Sequence, residues 1–219
     1  VAPVHYLWQM SRYESLCSLS CTTRSVCYVS TCLAMSRDML AFSLHNSLRP
    51  IQLTNTTQHY TDWDGITPFT SAPPFYEGVD DFTAHTLDQV SQEVLAIKAA
   101  LLEHHPHLNL DAVRHVREWI MDAYDHHIVD TSSLRSCIVT NKAYVGLKHP
   151  MVPAPAAAAD SSGGGASAGL VPNTSHRFWV EDLPCGMVAT RGIAELAGVD
   201  TPTIDAVIMV SHKAYPLRL

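Results

Sequence analysis

The chain has 219 residues, 47% of them hydrophobic and 16% charged, with a formal net charge of -7 at pH 7. That length can bury a sizeable core in one large domain or two small ones, and the composition is that of a globular chain rather than a disordered one. The acidic balance and the lack of a basic cluster argue against nucleic acid as the main partner, and no apolar run approaches the ~20 residues that span a bilayer. The opening VAPVHYLWQMSRYES has no charged lead followed by an apolar stretch, so no secretory leader is expected and the cytoplasm is the default location.

Residues 1–50 form an atypical lead-in. The stretch SLCSLSCTTRSVCYVSTC has no clean period of 2 or 3.6. Its cysteines, Cys17, Cys21, Cys27 and Cys32, lack the paired C-x2-C knuckles that let two thiolates grip one zinc ion. Cys137 and Cys185 read as packing residues, and no metal site is expected. The 13 histidines do not change this, because none falls in an H-E-x-x-H pattern that would place two on one helix face.

From Gln52 to Gly78, QLTNTTQHYTDWDGITPFTSAPPFYEG is punctuated by Gly65, Pro68, Pro73, Pro74 and Gly78, which is loop chemistry. The pattern then changes. In DDFTAHTLDQVSQEVLAIKAALLEHH, Val90, Val94, Ile97 and Leu101 recur at helical spacing behind Asp80 and Asp81, which suit a helix start. A second helix is expected in LNLDAVRHVREWIMDAYDHHI, with Val113, Val116, Ile120 and Tyr124 as its stripe and Asn109 or Asp111 as its cap. A third is expected from Ser132 to just before His149-Pro150.

The run over residues 152–170 is rich in Pro, Ala, Ser and Gly and reads as a flexible surface insertion, since it offers nothing bulky to bury. Beyond it, a helix is expected to start near Leu183-Pro184 and to stop at Gly198. A last helix follows in TPTIDAVIMVSHKAY, capped by Thr201 or Thr203. The expected fold class is mostly α, a helical bundle over residues 51–219. No G-x-G-x-x-G fingerprint opens a helix after a strand, so no nucleotide site is visible in the chain.

The residues most suited to chemistry lie in HRFWVEDLPCG. A site for an oxo acid or amino acid needs a cation for the carboxylate, and the planar fork of an arginine such as Arg177 pairs with it bidentately. Asp182, five residues on, could hold one ring nitrogen of a histidine so that the other exchanges a proton with substrate. The plainer alternative is that Glu181 or Asp182 caps the helix and Arg177 pairs with one of them at the surface, for less than ~1 kcal/mol. Spacing alone leaves both open.

Three segments go further: APPFYEGVDD, REWIMDAYDHHIVDTSSLRSCIVTNKAYVGLKHPM and RFWVEDLPCGMVATRGIAELAGVDTPTIDAVI. Together they resemble the C-terminal helical domain of the octopine/nopaline (opine) dehydrogenase family. The resemblance runs from about Asp62 to Tyr215, and its most specific stretches are TNKAY-x-GL-x-HP and RGIAELAGV-x-TP-x-ID. It implies an oxidoreductase that condenses an amino acid with pyruvate or another 2-oxo acid and reduces the imine with NADH or NADPH. The partners implied are those small molecules. In the family the cofactor sits on an N-terminal Rossmann domain, most of which is expected to be absent from this chain.

Carried over by resemblance, Arg177 is the carboxylate-binding arginine, Asp182 the acid beside the catalytic histidine, and Trp119 the tryptophan of the amino-acid pocket. The histidine itself does not carry over. The family places it before a proline ahead of the W-D-G turn, where this chain reads HNSLRPIQLTNTTQHYTDWDG, with Arg49 before Pro50. An arginine stays protonated and is a poor proton shuttle, so His45 and His59 are the candidate substitutes, and His149 reads as structural. The rival reading is a non-catalytic helical remnant that serves as a binding or interaction module.

Overall fold

The computed structural model describes residues 52, 54–59, 63–155 and 169–214. Its spine is helix α1 (Asp81–His104). Asp80 caps it by accepting the Thr83 N–H at 2.7 Å, and the carboxyl's pKa is lowered by bonds to Thr83. No proline or glycine interrupts the 24 residues, which at 1.5 Å per residue span about 36 Å. The helix stops at His104, just ahead of His105-Pro106.

Helix α1 borders three cores in turn. Its first turns, with Ala84 and Leu87, pack with Phe75, Tyr76, Val116, Ile120, Leu134, Cys137, Ile138 and Tyr144. Val90, midway, packs with Trp179, Leu183, Met187, Ile204 and Val207. Ile97 and Leu101 close on Leu110, Val113, Ile193 and Ala194. Each large apolar side chain removed from water in these cores stabilises the fold by about 1.5–3 kcal/mol.

The other elements gather round this spine. They are α2 (Val116–Tyr124), α3 (Leu134–Val139), a wide π-wound helix Phe178–Val188 that runs directly into α4 (Ala189–Ala197), and α5 (Pro202–Ala214). Single 3-10 turns sit at Asp125–His127 and Lys142–Tyr144. The sheet among the described residues is one antiparallel pair, β1 (Met151–Pro153) against β2 (Leu170–Pro172), with Val152 opposite Val171. The fold is mostly α, as the periodicity implies, and Gly198 ends α4 at φ +68 while the Val199 N–H returns to the Ala194 carbonyl.

Several local expectations give way to tertiary contacts. Residues 54–59, read as loop, are helical: Asn55 donates to the Phe75 carbonyl at 2.7 Å and the Thr57 hydroxyl meets Ser211 at 2.8 Å, so this polar run is held from outside. α2 is capped by His115 rather than by Asn109 or Asp111, and α1 adds acceptors at the starts of both α2 and α5. Ser91 Oγ accepts the Val116 N–H at the start of α2, with His115 Nδ1 accepting from Arg117, and Glu93 accepts the Thr203 and Ile204 N–H groups at the start of α5.

The third helix is short. The Thr140 hydroxyl donates back to the Ser136 carbonyl, Asn141 accepts the Ala143 N–H, and Gly146 turns the chain at φ +79. The helix expected from Leu183-Pro184 begins earlier, at Phe178, and Pro184 lies inside it. The wider winding relieves the clash that a proline makes with an α-helical turn. Cys185, read as packing, is exposed, while Cys137 is buried.

Candidate functional site

The site begins with two loops laid side by side. The Phe75 N–H donates to the Leu147 carbonyl at 2.8 Å and the His149 N–H to the Pro73 carbonyl at 3.0 Å, while Glu77 accepts the Gly146 N–H at 3.0 Å. These bonds join PPFYEG to TNKAYVGLKHP, two of the motifs quoted above. They bring Phe75, Tyr76, Tyr144 and His149, all buried, onto one aromatic wall.

The rings touch in sequence. From Phe75, one arm runs through Tyr76 (4.7 Å, edge-on) and Tyr144 (4.0 Å, stacked) to Tyr124 (4.9 Å) and Trp119 (6.1 Å). The other runs through His149 (4.6 Å) to His59 (4.0 Å, 22° between planes) and Phe69 (5.1 Å). A branch reaches Phe178 at 5.4 Å and His176 at 4.3 Å from it, next to Arg177. Such offset and edge contacts are each worth about 0.5–1.5 kcal/mol beyond their burial, so the wall is stiff as well as apolar.

The π-wound helix carries the charged residues. Arg177 leads into this helix, whose winding is of the i to i+5 type, and Asp182 lies within it five residues on. Arg177 is exposed and its guanidinium makes no ion pair or hydrogen bond among the described residues. Asp182 is 1% exposed. Neither Glu181 nor Asp182 is a helix cap, since both lie inside the helix that Arg177 leads into.

Electrostatics follow from burial. The Tyr76 phenol is pushed above its usual value by burial and by the Tyr124 and Asp182 charges, against a lowering bond from Gln52, so Asp182 acts on this wall. Tyr144 is pushed up further, by burial and then by Tyr124. His149 is pulled down from 6.5 to about 3, first by burial and then by the neighbouring His59. His176 is lowered by burial and by Arg177, with Glu181 opposing. All these groups are neutral near pH 7.

Of the residues singled out from sequence, Trp119 and His59 lie on the two arms of one wall, Asp182 is buried within electrostatic reach of Tyr76, and Arg177 is exposed at the start of the π-wound helix. His45 lies outside the described residues. Sequence reading did not single out Tyr76, Tyr144 and His149 as a unit. Their signal was present in the two motifs that carry them, whose pairing only the fold reveals. No group of three or more His, Cys, Asp or Glu that could hold a metal ion occurs among the described residues. Nor does any strand there run into a glycine-rich helix start of the kind that holds a dinucleotide's pyrophosphate, so no step is assigned to a cofactor.

Residues 35–215 match the NAD/NADP octopine/nopaline dehydrogenase family, alpha-helical domain. The chain belongs to that family. It is 33% identical over 186 residues to the opine dehydrogenase of Haliotis discus hannai, covering 82% of this chain and 43% of that protein. It is 35% identical over 175 residues to the tauropine dehydrogenase of Arabella iricolor, covering 80% and 40%. The solved octopine dehydrogenase complex with NADH and agmatine superposes with a TM-score of 0.65 at 31% identity, covering 81% of this chain and 40% of that one. The complex with NADH and L-arginine gives 0.64 at 31% identity, covering 77% and 38%. This opine dehydrogenase-family chain thus spans about 40% of the length of the curated relatives it matches. No helix among its described residues is long and apolar enough to cross a membrane.

Proposed function

We propose that this chain is the substrate-binding and catalytic domain of an opine dehydrogenase, acting in the reductive condensation of an amino acid with pyruvate or another 2-oxo acid. One observation carries the reading. Arg177, exposed at the start of the π-wound helix, and Asp182, buried within it and acting on the Tyr76 phenol of the aromatic wall, are carried by one element. An exposed guanidinium suits a small carboxylate, and a buried acid suits the orientation of a proton-carrying group.

In this reading Arg177 anchors the carboxylate, Trp119 borders the amino-acid side, and Asp182 orients a histidine, for which His59 is the described candidate. NAD(H), which the solved octopine dehydrogenases bind, would supply the hydride from residues other than those described. The rest of the work is binding, orientation and proton handling by the side chains named. Residues 51–219 make up the helical domain in this proposal, with residues 152–170 as an insertion and 1–50 as a lead-in.

The rival, a helical module that binds without catalysing, is favoured by Arg49 standing before Pro50 where the family resemblance places a histidine. The experiment that separates them titrates pyruvate and a panel of amino acids into the purified chain by calorimetry, then follows NADH consumption after the chain is joined to the part of the Haliotis discus hannai opine dehydrogenase that it does not match. Binding lost in Arg177→Met, together with NADH consumption lost in Asp182→Asn of the joined protein, supports the enzyme. Binding with no NADH consumption by the joined protein under any pairing supports the module. No binding of any 2-oxo acid or amino acid overturns both roles.

A further inference from the structure

Tyr124 is the last residue of α2, and its backbone, at φ -130 and ψ 17, has left the helical region as the chain tightens into the 3-10 turn Asp125–His127. Side chains five apart on a regular α-helix diverge by about 140° around its axis and do not meet. Here the rings of Trp119 and Tyr124 do meet, with centroids 6.1 Å apart and planes at 78°. One ring stands upright against the other, and their faces enclose a nearly right-angled recess. Both rings are half-buried, whereas Tyr144, Tyr76 and Phe75 behind them are buried, so the recess lies at the outer end of the aromatic wall. Tyr144, edge-on to Tyr124 at 4.9 Å, backs it.

The helix that carries both rings is fixed along its length. At its start the Val116 N–H donates to Ser91 Oγ and the Arg117 N–H to His115 Nδ1. The Arg117 guanidinium donates to the Thr131 carbonyl, and Arg114 pairs with Asp122, two residues before Tyr124. A recess formed in advance costs its occupant little reorganisation. Phe178, the neighbour of Arg177, packs against the same core as Trp119 and Tyr124. The indole face alone would give an amino-acid side chain one contact. Two faces at nearly a right angle add a second, but only for a side chain of about three carbons or more, since contact needs approach within about 4.0–4.5 Å.

We propose that Tyr124 is a specificity-determining residue, its ring and that of Trp119 forming one recess that holds the side chain of the amino-acid substrate and favours long, straight side chains over short ones. This rests on the proposed place of Trp119 on the amino-acid side. Ring faces take an aliphatic stem and a cationic end alike, so the recess reads length rather than charge. A tyrosine that only filled the core would leave the order of amino-acid affinities untouched.

The test labels the full chain with 5-fluorotryptophan and follows its 4 tryptophans by fluorine NMR, the Trp119 signal being assigned with Trp119→Phe. L-arginine, L-norleucine and L-alanine are titrated in turn with pyruvate present. Each is expected to move the Trp119 signal, the two long amino acids binding about tenfold more tightly than L-alanine. Tyr124→Phe keeps the recess and keeps that preference. Tyr124→Leu loses it, the long amino acids weakening toward L-alanine while L-alanine itself is unchanged and the amide spectrum remains that of the fold. If the preference survives unchanged in Tyr124→Leu, the specificity role is overturned and the place of Trp119 stands. Tight binding of L-arginine without L-norleucine overturns the reading by length. A wild type with no preference for long side chains overturns the proposal with no variant needed. If no amino acid moves the Trp119 signal, the place of Trp119 itself fails and the role of Tyr124 falls with it.

Discussion

Glu93, midway along α1, accepts the backbone N–H groups of both Thr203 and Ile204, at 2.7 and 2.9 Å, and so caps a helix that begins more than a hundred residues later in the chain. The first turn of any helix leaves N–H groups without partners and carries positive potential. A carboxylate that satisfies two of them makes charge-assisted bonds, stronger than those of a hydroxyl cap. Ser91, two residues earlier and so on another face of α1, accepts the Val116 N–H of α2, and Lys98 donates to the Val113 carbonyl at 2.7 Å. The spine thus orients its neighbours by polar bonds as well as by apolar packing.

Glu93→Ala is expected to lower stability by about 1.5–3 kcal/mol, because it strips both N–H groups of a charged acceptor. Glu93→Gln keeps one acceptor oxygen and is expected to cost about half as much. Urea unfolding of the two variants checks the order. A cost below about 0.5 kcal/mol for the alanine variant would show that water replaces the cap.

Gly78 tests how closely the loop of the aromatic wall is folded. A Cβ built there meets the Pro74 carbonyl oxygen at 2.7 Å, a backbone atom that cannot swing away. Gly78→Ala is therefore expected to destabilise by about 1–3 kcal/mol and to disturb the neighbouring Phe75 and Tyr76. Near-ultraviolet circular dichroism should report the aromatic change beside the shift in unfolding midpoint. An unchanged aromatic spectrum would argue that the loop relaxes as a unit.

His149 sets a pH dependence whose sign follows from its depressed pKa, about 3 against 6.5 for a free imidazole, caused by burial and then by His59. Between those values the unfolded chain binds a proton that the folded chain refuses. Its effect is absent above pH 6.5, and stability falls as pH drops toward 3, by up to about 1.4 kcal/mol per pH unit. His176, lowered by burial and by Arg177, pulls the same way but is more exposed and contributes less. Urea midpoints of the wild type and His149→Phe across pH 4–7, roughly the window between these values, isolate the contribution of His149. Parallel curves would mean that the ring titrates normally in the fold.

The helical character of the chain and its longest element were legible because α1 is amphipathic and uninterrupted, with Val90, Ile97 and Leu101 at helical spacing and buried. Gly198 announced its own αL stop. What local reading could not supply was anything held from a distance. Residues 54–59 look like turn chemistry because their threonines and asparagine can bond locally, yet Asn55 and Thr57 are spent on Phe75 and Ser211. Ser91 and Glu93 of α1 bond the first N–H groups of α2 and α5, which no local pattern announces, and α2 is capped by His115 rather than by Asn109 or Asp111. Of the proposed site, Arg177, Asp182 and Trp119 are named by the family resemblance, but the π winding of the segment that Arg177 leads into leaves no simple periodic mark.

The exposure of Arg177 gives its most specific expectation. Its side chain is exposed and bonded to nothing among the described residues, so its removal should leave stability within about 0.5 kcal/mol. Its effect should appear in ligand binding instead. Arg177→Met removes a bidentate, charge-assisted pair with the 2-oxo acid and should weaken pyruvate binding by about 2 kcal/mol, roughly thirtyfold. Arg177→Lys keeps the charge and loses the fork, so a smaller loss, about tenfold, is expected. Calorimetric titration of pyruvate into both variants, with unfolding midpoints alongside, provides the check. Equal affinities in wild type and Arg177→Met would mean that the guanidinium serves solvent rather than substrate, and the place of Arg177 at the helix start would then be a matter of solvation alone.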